Sequence, residues 1–258
     1  MDTFLAPALA PSLALAAAAG LVGGAMNALA GGGTFATMPA LIGLGLPSPI
    51  ANATSNVALQ PGAIASAWAY RAGLAPVGGV SPQLLAALTF VSALVGSVLL
   101  VVTPTSTFDL LIPWLLLLAF CAIALGARAA AWLARRVTIG RRTLVVAQVL
   151  LGAYGGYFGG GVGMMVTATY GLLAGASPKQ MAAPRTLILA TANFAAAIVF
   201  IGWGMVRWGA CLPMLAGAVL GGHFGARLGT VLPPAVIRGW TLLVTGGMTV
   251  LFFWRAYG

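Results

Sequence analysis

Two triple-glycine runs interrupt apolar stretches of this chain: Gly31, Gly32 and Gly33, which Thr34 follows, and Gly159, Gly160 and Gly161. Glycine reaches positive φ angles and lets two backbones approach closely. Tight helix packing is a common role for small residues in membranes, but three successive glycines weaken the helix that contains them. A helix that begins after such a break directs free N–H groups and its positive dipole end into the protein. We therefore predict that both runs and Thr34 line an anion site.

A row of amide side chains follows the first glycine run. Asn52, Asn56 and Gln60 recur every four positions, so they share one face of the helix predicted there. Amides in hydrocarbon are costly unless they meet partners or a polar cavity. Helix capping explains Asn52 but not Gln60, which lies two turns further in. We expect the three amides to face a substrate cavity.

The second half of the chain supplies basic groups where the first supplies amides. Arg185 lies 129 positions after Asn56, near a predicted helix start. An arginine within the membrane suits a planar oxyanion, and snorkelling to the interface is the alternative. Asn193 lies two turns further along the same face. His223 and Arg227 share a face of a later helix, where substrate binding and an interfacial role are both open.

Acidic groups are nearly absent, since Asp2 and Asp109 are the whole set. Carriers driven by protons or sodium commonly use carboxylates within the membrane, so cation transport is disfavoured. The sequence contains no metal-ligand spacing, no redox pair of cysteines and no nucleophile–base pair. It therefore predicts no catalytic residue, no metal site and no cofactor, and its bases and amides fit a small oxyanion as substrate.

The elements that position these residues are membrane helices. The 258-residue chain is 61% hydrophobic and 5% charged, whereas soluble domains carry about 25% charged residues. Continuous apolar runs indicate helices rather than the alternating strands of a barrel. The net charge of +10 reflects the scarcity of acids and does not indicate a nucleic-acid partner. The partner that the composition implies is the lipid bilayer.

The apolar runs predict an all-α polytopic membrane protein, with residues 1–258 as a single transmembrane domain. A spanning helix needs about 20 apolar residues. About eight transmembrane helices fit, near residues 8–30, 50–71, 82–103, 109–133, 142–160, 184–204, 208–231 and 236–255. Two shorter apolar stretches, near 34–46 and 164–175, follow the glycine runs. They predict re-entrant or broken-helix segments, whose backbone must be satisfied by protein or a polar cavity.

An internal repeat divides the chain into two duplicated four-helix modules, residues 11–133 and 142–255. The Ser-Pro turns at Ser48 and Ser177 are 129 positions apart, and the glycine runs recur at a similar offset. Four spans per half would make the halves parallel, and an odd number would make them inverted. Both arrangements occur in transporters, and both place a substrate site between the halves.

Basic residues predict the orientation of the helices. Five arginines surround one short loop at 128–142: Arg128, Arg135, Arg136, Arg141 and Arg142. Such clusters are typical of cytoplasmic loops. Eight spans with a cytoplasmic N-terminus would place Arg71, Arg207 and Arg255 on that same side. Lys179, Arg185 and Arg227 would then remain at the opposite side or within the membrane.

The motifs also carry a family resemblance. Residues 23–56, GGAMNALAGGGTFATMPALIGLGLPSPIANATSN, and residues 152–187, GAYGGYFGGGVGMMVTATYGLLAGASPKQMAAPRTL, resemble the two modules of the TauE/SafE-type sulfite exporters. The resemblance implies a bacterial inner-membrane transporter with parallel halves that exports sulfite or a small organosulfonate. It does not fix the substrate, the direction or the coupling ion, and a homodimer stays open. A non-transporting membrane scaffold or biogenesis subunit is the alternative, although the loops are short for binding partners.

Overall fold

The computed structural model describes residues 6–133, 140–174 and 180–258. Within these ranges the chain forms ten α-helices: α1 (Ala6–Ala30), α2 (Thr34–Gly43), α3 (Ser48–Tyr70), α4 (Pro82–Val102), α5 (Thr105–Leu133), α6 (Arg141–Tyr157), α7 (Val162–Ala174), α8 (Ala182–Gly202), α9 (Trp208–Val231) and α10 (Pro234–Tyr257). The all-α prediction is confirmed. The predicted Ser-Pro turn at 177–178 and residues 134–139 of the predicted 128–142 loop lie outside the described residues.

Helix length separates eight long helices from two short ones in the described part of the chain. The short helices are α2 and α7, with 10 and 13 residues, and they follow the glycine runs as predicted. By length and composition, α1, α4, α5, α8, α9 and α10 could each cross a membrane. The helix α3 has 23 residues but carries many polar ones, and α6 has 17. Eight crossings therefore stay a prediction.

The short helix α2 folds back along α1. A Cβ atom built at Gly23 would lie 2.5 Å from Thr37 Cγ2, and one built at Gly33 would lie 3.0 Å from Asn27 Cβ. Earlier residues of α1 therefore pair with later residues of the α2 segment, so the two helices are antiparallel. The left-handed backbone of Gly31, with φ of 78°, makes this reversal possible.

The second short helix, α7, reverses the chain in the same way. Tyr170 Oη donates to Gln148 Oε1, and a Cβ atom at Gly155 would lie 3.3 Å from Val162 Cγ2. These pairs place the start of α7 beside the end of α6, so α7 runs back along α6. Each half of the chain therefore contains five helices of alternating direction, rather than four.

The two halves consequently run in opposite senses. Asn56 Nδ2 lies 3.3 Å from Asn193 Oδ1, and Gln60 Nε2 lies 3.1 Å from the Ala190 carbonyl oxygen. These contacts make α3 and α8 antiparallel, although the two helices hold the same place in the two halves. Of the two arrangements that the sequence left open, these contacts fit the inverted one and not the parallel one that the family resemblance implies, because the short helices add one reversal to each half.

Glycines hold the long helices together across the halves. A Cβ atom at Gly24 would lie 2.1 Å from the Ala218 carbonyl oxygen, so α1 touches α9 backbone to backbone. At Gly156 it would lie 2.0 Å from the Ala93 carbonyl oxygen, which joins α6 to α4 in the same way. Such small-residue contacts are the usual means of close helix packing in membranes. The first helix of each half thus packs on the fourth helix of the other half.

The helix directions also decide which charges share an end of the molecule. One end, the arginine-rich end, holds Arg71, Arg141, Arg142, Arg185, Arg227 and Arg238. Arg207 and Arg255 lie at the opposite end, where the Arg207 N–H donates to Thr54 Oγ1 near the start of α3. The expectation that these two arginines share a side with Arg71 is wrong. It fails because the extra reversals also place the start of α1 opposite the arginine-rich end. Lys179, Arg135 and Arg136 lie outside the described residues.

Candidate functional site

The two glycine breaks meet in the centre of the molecule. A Cβ atom built at Gly31 would lie 2.8 Å from Gly163 Cα, so the end of α1 crosses the start of α7 with backbone in direct contact. We call this contact the glycine crossing. Positive φ angles of 74° and 76° shape the second break at Gly159 and Gly161. Sequence reasoning missed Gly163, although it stands two positions after a predicted glycine run.

The crossing lies beside the midpoints of α3 and α8. A Cβ atom at Gly159 would lie 3.6 Å from Asn56 Nδ2 and 3.9 Å from Asn193 Oδ1. Asn56 is the ninth of 23 residues in α3, and Asn193 is the twelfth of 21 in α8. Because the two helices are antiparallel, this pair marks the middle of both. The structure therefore places Asn56 and Asn193 beside the second glycine break, which touches the first break where Gly31 meets Gly163.

Backbone donors are free at both breaks. The N–H groups of Gly32, Gly33, Gly160 and Gly161 form no hydrogen bond with any residue that the structure describes. All four residues are buried. Buried N–H groups at the start of a helix are suited to an anion, which they bind without a formal charge.

Two aspects of this region differ from the sequence prediction. The ring of Phe35 covers the second break, since Cβ atoms at Gly160 and Gly161 would lie 3.0 and 2.9 Å from its edge. Thr34 is buried, but it lines a cavity of about 10 Å³ with apolar neighbours such as Met38. Thr34 therefore does not reach the arginine side of the crossing.

A cavity of about 150 Å³ lies between the crossing and the arginine-rich end. Its polar wall consists of Asn27, Ser66, Tyr70, Arg185 and Thr186. We call it the arginine cavity. The ends of α1, α3 and α9 enclose it with the starts of α8 and α10. Nothing in the pattern of the sequence marked Asn27 or Ser66, because each is a single small polar residue in an apolar helix.

Arg185 connects the cavity to the glycine crossing. The Cβ atom built at Gly163 would lie 3.5 Å from Arg185 Cγ, so the aliphatic stem of the arginine packs over the crossing. The same side chain is half-buried and lines the arginine cavity. Among the described residues the sole acidic side chain is that of Asp109, which accepts a hydrogen bond from Ser48 at the opposite end. The guanidinium therefore has no carboxylate counter-ion in this site.

The amides do not line the cavity as predicted, because they are turned into helix contacts beneath it. Asn52, Asn56 and Gln60 are 1, 6 and 7% exposed. Asn52 Nδ2 donates to the Tyr157 carbonyl oxygen at 3.2 Å, while the other two donate to α8. The side-chain oxygens of all three amides have no hydrogen-bond partner among the described residues. A buried polar atom without a partner costs about 1–3 kcal/mol, so this row requires an explanation.

The structure does not bring His223 or Arg227 to the site. Both side chains are exposed on α9. The glycine face of that helix, which includes Gly221 and Gly225, packs against α1. The two side chains therefore point away from the crossing. Their four-residue spacing predicted a shared helix face but not the direction in which that face points.

Helices that are broken at buried glycines beside a polar cavity are typical of membrane transporters. The family model described as "Sulfite exporter TauE/SafE" matches residues 16–252. The chain therefore belongs to the TauE/SafE family, and it is a membrane transporter rather than an enzyme. No solved structure matches the chain significantly.

Curated relatives carry general names. The chain is 26% identical to the "Probable membrane transporter protein YfcA" of Escherichia coli K12 over 92% of this chain and 88% of that protein. It is 27% identical to a "Probable membrane transporter protein" of Haemophilus influenzae over 92% of both chains. A similar match, with 26% identity, is the "Probable membrane transporter protein ORF9" of a Sinorhizobium species. These names give the class of protein and no substrate.

Proposed function

We propose that this transporter exports sulfite or a small organosulfonate across the bacterial inner membrane. The observation that carries the proposal is Arg185, a guanidinium without a carboxylate partner in a cavity beside the glycine crossing. Arginine binds oxyanions through two parallel hydrogen bonds, and an anion in the cavity would neutralise it. A cavity of about 150 Å³ fits a small oxyanion.

The bound anion would lie between the arginine cavity and the middle of the membrane. Arg185 supplies the charge at its outer edge, while Ser66 and Asn27 supply hydrogen bonds. Deeper, the free N–H groups of Gly32 and Gly33 offer further donors at the start of α2. The order of these groups gives the anion a path from the cavity towards the glycine crossing.

Inverted repeats provide the means of alternating access. The packing of α1 on α9 corresponds to the packing of α6 on α4, since each joins the first helix of one half to the fourth of the other. The third helices, α3 and α8, pack on each other, and so do the fifth helices, α5 and α10. This pattern supports a duplicated unit of five helices, with the site between the two repeats. At the opposite end the Tyr157 ring packs on Phe108 at 5.6 Å between centroids, and this contact would close the path there. Transport would open that end as the arginine cavity closes.

The arginine-rich end would face the cytoplasm, in accordance with the positive-inside rule. We test this with single cysteines after Cys121 and Cys211 are replaced by alanine. Ser106→Cys lies in an exposed position opposite the arginine-rich end, and Ala75→Cys lies in the exposed turn before α4. An impermeant maleimide applied to spheroplasts should label Ser106→Cys and leave Ala75→Cys unlabelled until the cells are lysed. The reverse labelling would overturn the orientation.

Substrate flux tests the function itself. Purified protein in proteoliposomes should release preloaded sulfite or methanesulfonate well above protein-free vesicles, because Arg185 offers an anion site in a protein without a nearby carboxylate. Release of potassium from the same vesicles serves as the control and should match the protein-free rate. A protein that releases neither anion above that background would favour the scaffold alternative.

A further inference from the structure

The buried face of α3 presents a row of hydrogen-bond acceptors rather than donors. A backbone carbonyl can only accept a hydrogen bond, so the contacts with Tyr157 and Ala190 fix the amide nitrogens of Asn52 and Gln60 against them. The amide oxygens must then point the other way. Asn56 Nδ2 donates to the side-chain oxygen of Asn193, and the oxygen of Asn56 has no partner among the described residues. We call these three unpartnered oxygens the acceptor row.

The acceptor row continues the path that the arginine cavity begins. Ala63, on the cavity wall, lies three residues after Gln60, so the row starts about one helical turn below the cavity. It passes the midpoint of the molecule at Asn56. It ends at Asn52, beside the last carbonyl of α6, after about 12 Å of helix. The row therefore leads from the arginine cavity towards the opposite end of the molecule.

A fully deprotonated anion suits the cavity but not this row. Its oxygens accept hydrogen bonds, and they would meet acceptor oxygens at each turn, where like partial charges repel. A ligand that passes the row must donate a hydrogen bond. No described carboxylate lies along the row itself, since Asp109 accepts from Ser48, about one helical turn beyond Asn52.

Resting on the proposed function, we propose that the transported species is a protonated oxyanion, such as hydrogensulfite, which carries its own proton past the row. Its O–H group donates in turn to Gln60, Asn56 and Asn52. Its charged oxygens accept from Arg185 at the cavity and from the N–H groups of Gly32 and Gly33 beyond it. The proton and the anion cross together, so export removes one proton from the interior with each anion.

The experiment follows efflux from proteoliposomes at equal internal and external pH and constant total sulfite, with the rate of protein-free vesicles subtracted. As the pH is lowered through the range in which sulfite takes up its proton, the rate should rise with the hydrogensulfite fraction. A pH-sensitive dye in the lumen should report alkalinisation during efflux. Methanesulfonate has no ionisable proton in this range, and it should leave far more slowly at every pH.

Variants of the row supply a second readout. Gln60→Met and Asn52→Leu remove an acceptor with little change of volume. Each should lower the ratio of hydrogensulfite to methanesulfonate rates by about 3- to 10-fold, the value of one hydrogen bond. Gln148→Met is the matched control, because Gln148 is a buried amide whose two ends already bond Thr89 and Tyr170. It should keep the parent ratio even if the protein becomes less stable.

The outcomes separate this inference from the proposed function. If both anions move at similar rates with a flat pH profile, the inference is overturned while the anion transporter stands. The inference is also overturned if Gln60→Met and Asn52→Leu keep the parent ratio of hydrogensulfite to methanesulfonate rates. If neither anion moves above background, the proposed function itself fails. A pH-dependent preference for hydrogensulfite that the row variants weaken supports both.

Discussion

Arg185→Ala is expected to lower the rate of sulfite efflux by roughly 10- to 100-fold, because a hydrogen bond to a charged group contributes about 1.5–3 kcal/mol. The guanidinium lines the arginine cavity and packs by its stem over the glycine crossing. With alanine, the cavity keeps its hydroxyl and amide groups but loses its positive charge. An anion would then enter a low-dielectric site without a compensating partner. The measurement is initial efflux from proteoliposomes with matched protein content.

Two further arginine variants make the result specific. Arg185→Lys keeps the charge but loses the paired geometry that suits an oxyanion, so its rate should fall between those of the parent and Arg185→Ala. Arg71→Ala is the matched control at the same end of the molecule. Arg71 is exposed, donates to the Trp68 carbonyl oxygen and stacks on the Trp68 ring. If Arg185→Ala keeps the efflux rate of the parent, as Arg71→Ala should, then Arg185 is not part of the anion site.

Gly31→Ala is expected to reduce efflux to the background of protein-free vesicles. Gly31 has φ of 78°, a conformation that costs a residue with a Cβ about 1–2 kcal/mol. The added Cβ would also lie 2.8 Å from Gly163 Cα, which is backbone and cannot rotate away. The two breaks would therefore have to separate at the point where the anion path crosses the middle of the molecule. Efflux and thermal unfolding in detergent measure the two consequences.

Gly43→Ala is the control for this substitution. Gly43 ends α2, has no positive φ, and an added Cβ would meet nothing within 4 Å. It should leave efflux and thermal stability close to those of the parent. Gly163→Ala tests the crossing from its other side, because the added Cβ would lie 3.0 Å from Gly31 Cα. Gly163 has no positive φ, so this substitution carries no backbone cost of that kind. Parent-like efflux from both Gly31→Ala and Gly163→Ala would show that the crossing is not part of the path.

The sequence was sufficient to locate the helices and their breaks. Helix positions follow from long apolar runs, which are local, and the short helices α2 and α7 appeared at the two predicted stretches. The glycine runs at 31–33 and 159–161 likewise predicted breaks because the conformational freedom of glycine is a property of the residue itself. The family could be named from the same motifs, and a match over residues 16–252 confirms it.

The direction of the helices could not be read from the sequence, because it depends on whether a short apolar stretch turns back or continues. Because α2 and α7 each turn back along the preceding helix, the halves are inverted, and Arg207 and Arg255 lie at the end opposite the one predicted. The arginine cavity depended on these reversals too, since it brings Arg185 on α8 beside Asn27 on α1.

Side-chain direction also belongs to the tertiary structure. Spacing places His223 and Arg227 on one face of a helix, but the glycines of α9 pack against α1 and turn that face outwards. Spacing likewise groups Asn52, Asn56 and Gln60 without saying which atom of each amide is used. Carbonyl groups on α6 and α8 take the nitrogens and leave the oxygens unpartnered. The sequence thus determined which polar groups enter the membrane, whereas the packing of neighbouring helices decided which of their atoms stay free for a substrate, because a hydrogen bond requires both partners in place.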